Sequence, residues 1–410
     1  MSSTPKPAGD EATALITQLA RLTPSSLSHD KQARYAALAL SRQLTAVLEG
    51  PVNRATELTF KPMTTIAAQI GVRMNFFSAI VDATTNSAAL SISSAELAEI
   101  TGADALLVSR ILRVMSSIDF VTEVGKDEWR ANETTKAMAT PEIAAGHRFV
   151  YTCLVQSAVQ LPRFLSSIGW QSPEEPRAGV FQFAQKTEKD MFSWLVSTDT
   201  ENGLWRDFNT FMGHTMGARE YWVEWWDVEG RLLSGFDERS GEGVLLVDVA
   251  GGRGHDVQAF CEKVGEGRGR VVLQEVRGVL DGIEEGELDR SVERMEYDFF
   301  SEQPVKGARA YFMHHILHDW SDKYCHMILK QLREAMTPGY SRLLIHDLIL
   351  PDTGAAEYQA RFDLTMMTFN SGMERSRSQW RKLMEEAGFK MLGLWEHFDA
   401  DGIVEVEVAA

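Results

Sequence analysis

From residue 243 onward the chain alternates short apolar runs with amphipathic ones, and few folds accommodate that pattern. VLLVDVA (244–250), RVVLQEV (270–276), RMEYDFF (294–300), ARAYFMHHI (308–316) and SRLLIHDLIL (341–350) each read as a strand. HDVQAFCEKV reads as a helix. So does Asp322 to Met336, with Cys325, Ile328, Leu329, Leu332 and Met336 on one face, stopped by Thr337-Pro338-Gly339. SQWRKLMEEAGF forms another helix, capped by Ser376 or Ser378 and closed by Gly388. KMLGLWEHF and GIVEVEVA, joined at Asp399 to Gly402, predict a terminal hairpin. Strands alternating with helices imply a mostly parallel sheet covered on both faces, here with one antiparallel strand added by the hairpin. We expect a Rossmann-like α/β domain over 243–410, with ligands beyond the carboxyl ends of its strands.

Upstream, residues 1–10 are polar and are expected to be disordered. From about 11 to 50, Ile16, Leu19 and Leu22, then Tyr35, Leu38, Leu40 and Leu44, recur at helical spacing. Ser93 or Ser94 caps a short helix ending near Thr101-Gly102. A second, about Asp104 to Ser116, carries Leu107, Ile111, Val114 and Met115 on one face. FVTEV and EWRA, joined by Gly125-Lys126-Asp127, complete the unit as a hairpin. Helix, turn, helix and hairpin make a winged-helix pattern, so 11–140 is expected to be an all-α, winged-helix-like domain. Residues 141–242 read as mostly helical and end in the polar linker GFDERSGEG. Their aromatics, Trp194, Trp205, Phe208, Phe211, Trp222, Trp225 and Trp226, are expected to build a helical core and part of a pocket wall.

A winged helix invites a DNA-binding reading. The formal net charge of −17 opposes it, because phosphate backbones are repelled, and the second helix offers only Arg110 and Arg113. A packing or dimer-forming module is the expected role. No run of about 18 apolar residues occurs, so no membrane span is expected. The first residues lack a basic start followed by an apolar run, which argues against a secretory signal. Cys153, Cys261 and Cys325 lie far apart without CxxC spacing. Disulfides and structural zinc are therefore not expected, and a reducing cytoplasm is the simplest compartment.

The chemistry is concentrated at strand ends. Asp248, Gly251, Gly252 and Gly254 follow the first strand and precede a helix. Glycines there let the backbone approach a ligand, and the helix start supplies N–H donors. Glu275 ends the next strand, where a carboxylate can accept two ribose hydroxyls. The dinucleotide fingerprint fails, since Val257 stands where its third glycine belongs, so a nucleoside cofactor other than NAD is indicated. Asp298 ends the third strand, placed to meet an adenine amine, with Phe299 against the ring. The run Met313-His314-His315-Ile316-Leu317-His318-Asp319 follows the fourth strand. A histidine beyond the cofactor strands is suited to taking a phenol's proton. No metal site is expected: His314 and His318 share a face if helical, but no third ligand is fixed nearby. Asp347, ending the fifth strand, and Glu374, in a polar turn before a helix, are two acids among 58 that spacing alone does not single out.

These residues resemble those of the plant-type small-molecule O-methyltransferases, in the form common in fungal secondary metabolism. The matching runs are LLVDVAGGRGHD, VVLQEV, MEYDFF, FMHHILHDWSDKYCHMILKQLREAM, LLIHDLILPD and DLTMMTFNSGMERSRSQWRKLMEEAGF, in family order over about 243–392. The resemblance implies an O-methyltransferase with S-adenosyl-L-methionine as cofactor, a small-molecule hydroxyl acceptor, and a homodimer formed through the winged-helix part. It makes His318 the base and Asp347 and Glu374 the acids flanking it. Glu275 becomes the ribose acid, Asp298 and Phe299 the adenine contacts, and His314 stands where the plant enzymes carry lysine. Ala250 replaces the usual first glycine of the turn. Met313, Met366, Met367, Phe369, Asn370 and Met373 are the expected acceptor pocket, methionines adapting to flat ligands. Two alternatives stay open: a cyclase or pericyclase on the same scaffold that uses the cofactor non-reactively, and a winged-helix DNA-binding regulator.

Overall fold

A computed structural model describes residues 8–85, 90–217, 220–239, 241–265, 267–397 and 401–409. The chain divides into two compact units, Met1–Ala139 and Thr140–Ala410.

The first unit is helical with a small sheet. Its helices include Ala8–Leu19, Lys31–Leu48, Pro62–Arg73 and Phe76–Thr85. Residues 8–10, expected to be disordered, form the first turn of Ala8–Leu19; residues 1–7 lie outside the described residues. Strands β1 (Ile92–Ser93), β2 (Thr122–Gly125) and β3 (Glu128–Arg130) pair antiparallel in the order β1-β3-β2. Ser93 caps helix Ser94–Thr101 through a reciprocal bond with Glu96, and Gly102 closes it at φ +73°. Asp104 caps helix Ala105–Ser116. That helix buries Val108, Leu112 and Met115, whereas Leu107 is exposed and Ile111 and Val114 are only half-buried, so the expected face is rotated. Fully buried Trp129 donates its Nε1–H to Ser94 Oγ at 2.8 Å and ties the wing to the helix pair. Arg113, one of the two cations on the would-be recognition helix, is paired with Asp127 at 2.9 Å.

The second unit carries the larger sheet. Its strands are β4 (Val244–Val249), β5 (Arg270–Glu275), β6 (Val292–Glu296), β7 (Ala310–His314), β8 (Arg342–Leu350), β9 (Arg375–Ser376), β10 (Phe389–Glu396) and β11 (Asp401–Val408). The order is β10-β11-β8-β7-β4-β5-β6, with β9 beside the end of β8. β4 to β9 run parallel; β11 lies antiparallel to β8, as the hairpin predicts. The order reverses at β4, which has β5 on one side and β7 on the other, so a crevice opens beyond its carboxyl end. Alternation along β7 feeds both faces. Tyr311 and Met313 enter one core with Ile328, Leu329 and Trp380; Phe312 enters the other with Trp222, Phe260 and Leu273.

Several strand limits differ from the sequence reading, and three of the differences bear on named residues. β6 starts earlier and ends at Glu296, leaving Asp298 beyond it. Asp347 lies inside β8, three residues before its end. Asp401 and Gly402, read as turn, begin β11.

Residues 141–236 are mainly helical, and the aromatic run splits in two. Trp222 stacks on Phe312, ring centres 4.7 Å apart, and belongs to the sheet core. Trp205, Phe208 and Trp194 belong instead to a cluster with Phe149, Phe181, Met366 and Phe369.

Candidate active site

The turn after β4 is built for close approach. Asp248 is fully buried with neither carboxylate oxygen bonded to a protein donor. A Cβ on Gly251 would lie 2.3 Å from Asp248 Oδ2, so glycine is required there. Ala250 has φ +59°, in the left-handed region where an L side chain is strained. Burial, with Asp256 and Glu275 nearby, raises the Asp248 pKa well above the ordinary carboxylate value. Glu275, the last residue of β5, accepts the N–H of Val276 and of Gly252, while burial raises its pKa. Asp298 is exposed, and its carboxylate accepts the Phe300 N–H at 3.0 Å. Phe299 packs against Phe300 and Trp320, ring centres 4.9 and 5.9 Å away. An unpartnered buried carboxylate under a glycine turn, with a second acid at the next strand end, fits a nucleoside rich in hydroxyl and amine donors.

His318 sits in the short 3₁₀ turn Leu317–Asp319 beyond β7, only 5% exposed. Its Nδ1 stands 2.7 Å from Glu374 Oε1, and its Nε2 stands 3.8 Å from Asp319 Oδ1. Burial pulls the imidazole pKa down, but the charges of Glu374, Asp319 and Asp347 more than reverse this, to about 10. Burial pushes the Asp347 pKa up to about 7 and that of Asp319 up to about 6, in each case against the pull of His318. Of the two acids expected to flank the base, only Glu374 hydrogen-bonds it. Asp347 is fully buried, has no hydrogen-bond partner, and acts through charge alone.

Two loops are locked together to make this arrangement. Met373 N–H donates to the His318 carbonyl at 2.9 Å, and Glu374 N–H to Asp363 Oδ1 at 2.9 Å. A Cβ on Gly372 would lie 2.1 Å from the His318 carbonyl oxygen, so only glycine permits the crossing. Arg375, fully buried, bonds the carbonyls of Leu317 and Trp320 at 2.9 and 2.8 Å and Asp322 Oδ1 at 2.9 Å. Sequence reasoning assigned no role to Asp319, Gly372 or Arg375. The run SGMERS was the available signal: a glycine beside a charged pair in a turn.

His314 is the last residue of β7. Its Nδ1 stands 2.7 Å from Asp256 Oδ2, and its ring centre 4.0 Å from that of His346. Asp256, His314 and His346 bring candidate ligand atoms within 4.8 Å of one another, so companions for His314 do exist, on other elements. At 2.7 Å, His314 and Asp256 are spaced as a hydrogen-bonded pair.

Of the expected pocket residues, Met366 and Phe369 join the aromatic cluster, Phe369 lying 5.6 Å from Phe149. Phe362, packed against that cluster, stands 5.9 Å from the His318 ring. Asn370 donates its Nδ2–H to the Asp319 carbonyl at 3.2 Å. Met367 and Met373 are half-buried. Met313 is fully buried within the core cluster of the sheet.

Residues 224–390 match the family model of the O-methyltransferase domain. Over 400 residues the chain is 42% identical to O-methyltransferase penC of Penicillium thymicola, covering 97% of each chain. It is 40% identical over 348 residues to O-methyltransferase asqD of Emericella nidulans, covering 84% of this chain and 87% of that one. Among solved structures, LepI in complex with SAM superposes with a TM-score of 0.82 at 26% identity, covering 98% of this chain and all of that one. OxaC in complex with SAH and oxaline reaches 0.81 at 24% identity, covering 98% of both, a likeness of fold. No helix among the described residues is long and apolar enough to cross a membrane. With relatives this similar along nearly its whole length, the chain belongs to the S-adenosylmethionine-dependent small-molecule O-methyltransferases of plant type, in their fungal form.

Proposed function

We propose that this protein methylates a hydroxyl group on a small aromatic or polyketide-like molecule of fungal secondary metabolism, with His318 as the base. The observation that carries this reading is the buried His318–Glu374 pair at 2.7 Å, beyond the carboxyl ends of the sheet and beside Phe362. S-adenosyl-L-methionine supplies an electrophilic methyl group. Asp248, Gly251, Gly252, Gly254, Glu275, Asp298 and Phe299, with His314, are the residues that would hold it.

The chain's own contribution is positioning and proton transfer. Glu374 on Nδ1 leaves Nε2 of His318 for the acceptor's hydroxyl proton. An imidazole whose pKa is held near 10 shares a proton on nearly equal terms with a phenol, whose own pKa is about 10. With the cofactor bound, the freed oxygen would take its methyl group in line, the methyl–sulfur bond breaking as the methyl–oxygen bond forms, and S-adenosylhomocysteine would leave. Glu374, with Asp347, offsets the charge the ring has gained. Met366, Met367, Phe369, Asn370 and Met373, with Phe362, are the side chains we assign to holding a flat acceptor at that distance, which is where much of the rate enhancement arises. We also take the N-terminal unit to form a homodimer; its helices expose Leu48, Val52, Leu58 and Phe60.

His318→Ala separates chemistry from binding. Turnover is expected to fall about a hundredfold or more while calorimetry shows S-adenosylhomocysteine bound as in the parent. Unchanged turnover would remove His318 from the role.

A further inference from the structure

His315 is held in a backbone conformation that histidine rarely adopts. It follows the last residue of β7 with φ +53°, and its N–H donates to the His346 carbonyl at 3.1 Å. Strain of this kind costs free energy and persists only where the surroundings over-determine it, most often at functional sites. Its effect here is to lay the His315 ring on the His318 ring, centres 4.9 Å apart and planes 13° from parallel. On the far side His315 Nε2 stands 3.5 Å from Asp401 Oδ2 at the start of β11. Glu374 holds His318 at Nδ1, and a parallel ring against its face restricts rotation about that bond.

The charges around the two rings complete the argument. His315 faces Asp401, His314 and His318, with Asp256, His346, Asp319 and Asp347 beyond them. Two imidazolium ions 4.9 Å apart would repel. Glu374 stands 2.7 Å from His318, whereas Asp401 stands 3.5 Å from His315. Resting on the reading of His318 as the base, we propose that His315 is its positioning residue. Its ring fixes the plane in which His318 presents Nε2, and its π face attracts the charge that His318 gains with the acceptor's proton.

The test is an NMR titration of protein labelled at histidine. The His318 resonance is identified by its absence in His318→Asn, then followed through pH in the parent, His315→Gly and His315→Phe. Glycine removes the ring and relieves the backbone; phenylalanine keeps a ring without nitrogen. His315→Gly is expected to melt no lower than the parent and to bind S-adenosylhomocysteine normally. Its His318 should release its proton more readily, with roughly a threefold larger acid dissociation constant. Its kcat should fall about tenfold at unchanged cofactor KM. His315→Phe should restore both. An unchanged or higher His318 midpoint in His315→Gly overturns the proposal, as does failure of His315→Phe to restore it. Should His315→Gly not fold, His315→Asn, whose side chain tolerates the left-handed backbone and carries no ring, is expected to shift the midpoint the same way, and no shift there is equally fatal. A chain that shows these titrations yet methylates nothing would refute the assigned reaction and leave the ring pair standing.

Discussion

Burial alone would lower the pKa of His318; Glu374, with Asp319 and Asp347, holds it near 10 instead. The sign of two pH effects follows. A base must be unprotonated, so kcat/KM for the acceptor should climb with pH toward an alkaline midpoint. Glu374→Gln removes the strongest opposing charge and should move that midpoint down toward the ordinary histidine value of 6.5. A pH–rate profile with the same midpoint in both proteins would contradict the pairing. For stability, a folded-state pKa raised from 6.5 to about 10 contributes fully below 6.5, and the contribution is lost as pH rises through 10. At Ala250 the cost is conformational. A methyl-bearing residue at φ +59° is strained by about 1 kcal/mol, so Ala250→Gly should unfold at correspondingly higher urea. A lower midpoint would mean the methyl group makes contacts worth more than the strain.

The elements of the site are two loops, 314–322 and 371–376, joined by Arg375. Arg375→Met would leave the carbonyls of Leu317 and Trp320 buried without that donor and Asp322 without its partner. Roughly 3 kcal/mol of stability should be lost, read by urea unfolding; a loss within experimental scatter would show that the loops hold each other without it. The strands that frame these loops were legible because they are short apolar runs bounded by glycine and polar turns, as at VLLVDVA and SRLLIHDLIL. β6 was placed late because it is an edge strand, paired only with β5, whose polar alternation Val292-Glu293-Arg294 carries little apolar signal. Helix Ala105–Ser116 was rotated because apolar residues at 106, 107, 108, 111, 112, 114 and 115 offer two stripes, and only packing chooses between them. Which acid touches His318 was not legible either: Glu374 reaches it from a segment 56 residues away through a loop crossing that no local pattern encodes.

At the scale of the whole molecule, the second unit resolves into one parallel sheet whose switch point at β4 gathers Asp248, the glycine turn and Glu275 at a common edge. His318 lies beyond the same edge, on the loop that leaves β7, the neighbour of β4. The chain's net charge of −17 and the pairing of Arg113 with Asp127 oppose a nucleic-acid role. The central claim is that these parts hold a hydroxyl against a sulfonium methyl. Its most direct test is mass spectrometry of reactions containing S-adenosylmethionine with an isotopically labelled methyl group and a panel of aromatic hydroxyl compounds. The prediction is a product heavier by one labelled methylene on oxygen, with an equal amount of S-adenosylhomocysteine, and about a hundredfold less of both, or lower, with His318→Ala. A product of unchanged mass with no S-adenosylhomocysteine would contradict the account and make the protein a cyclase on a methyltransferase scaffold.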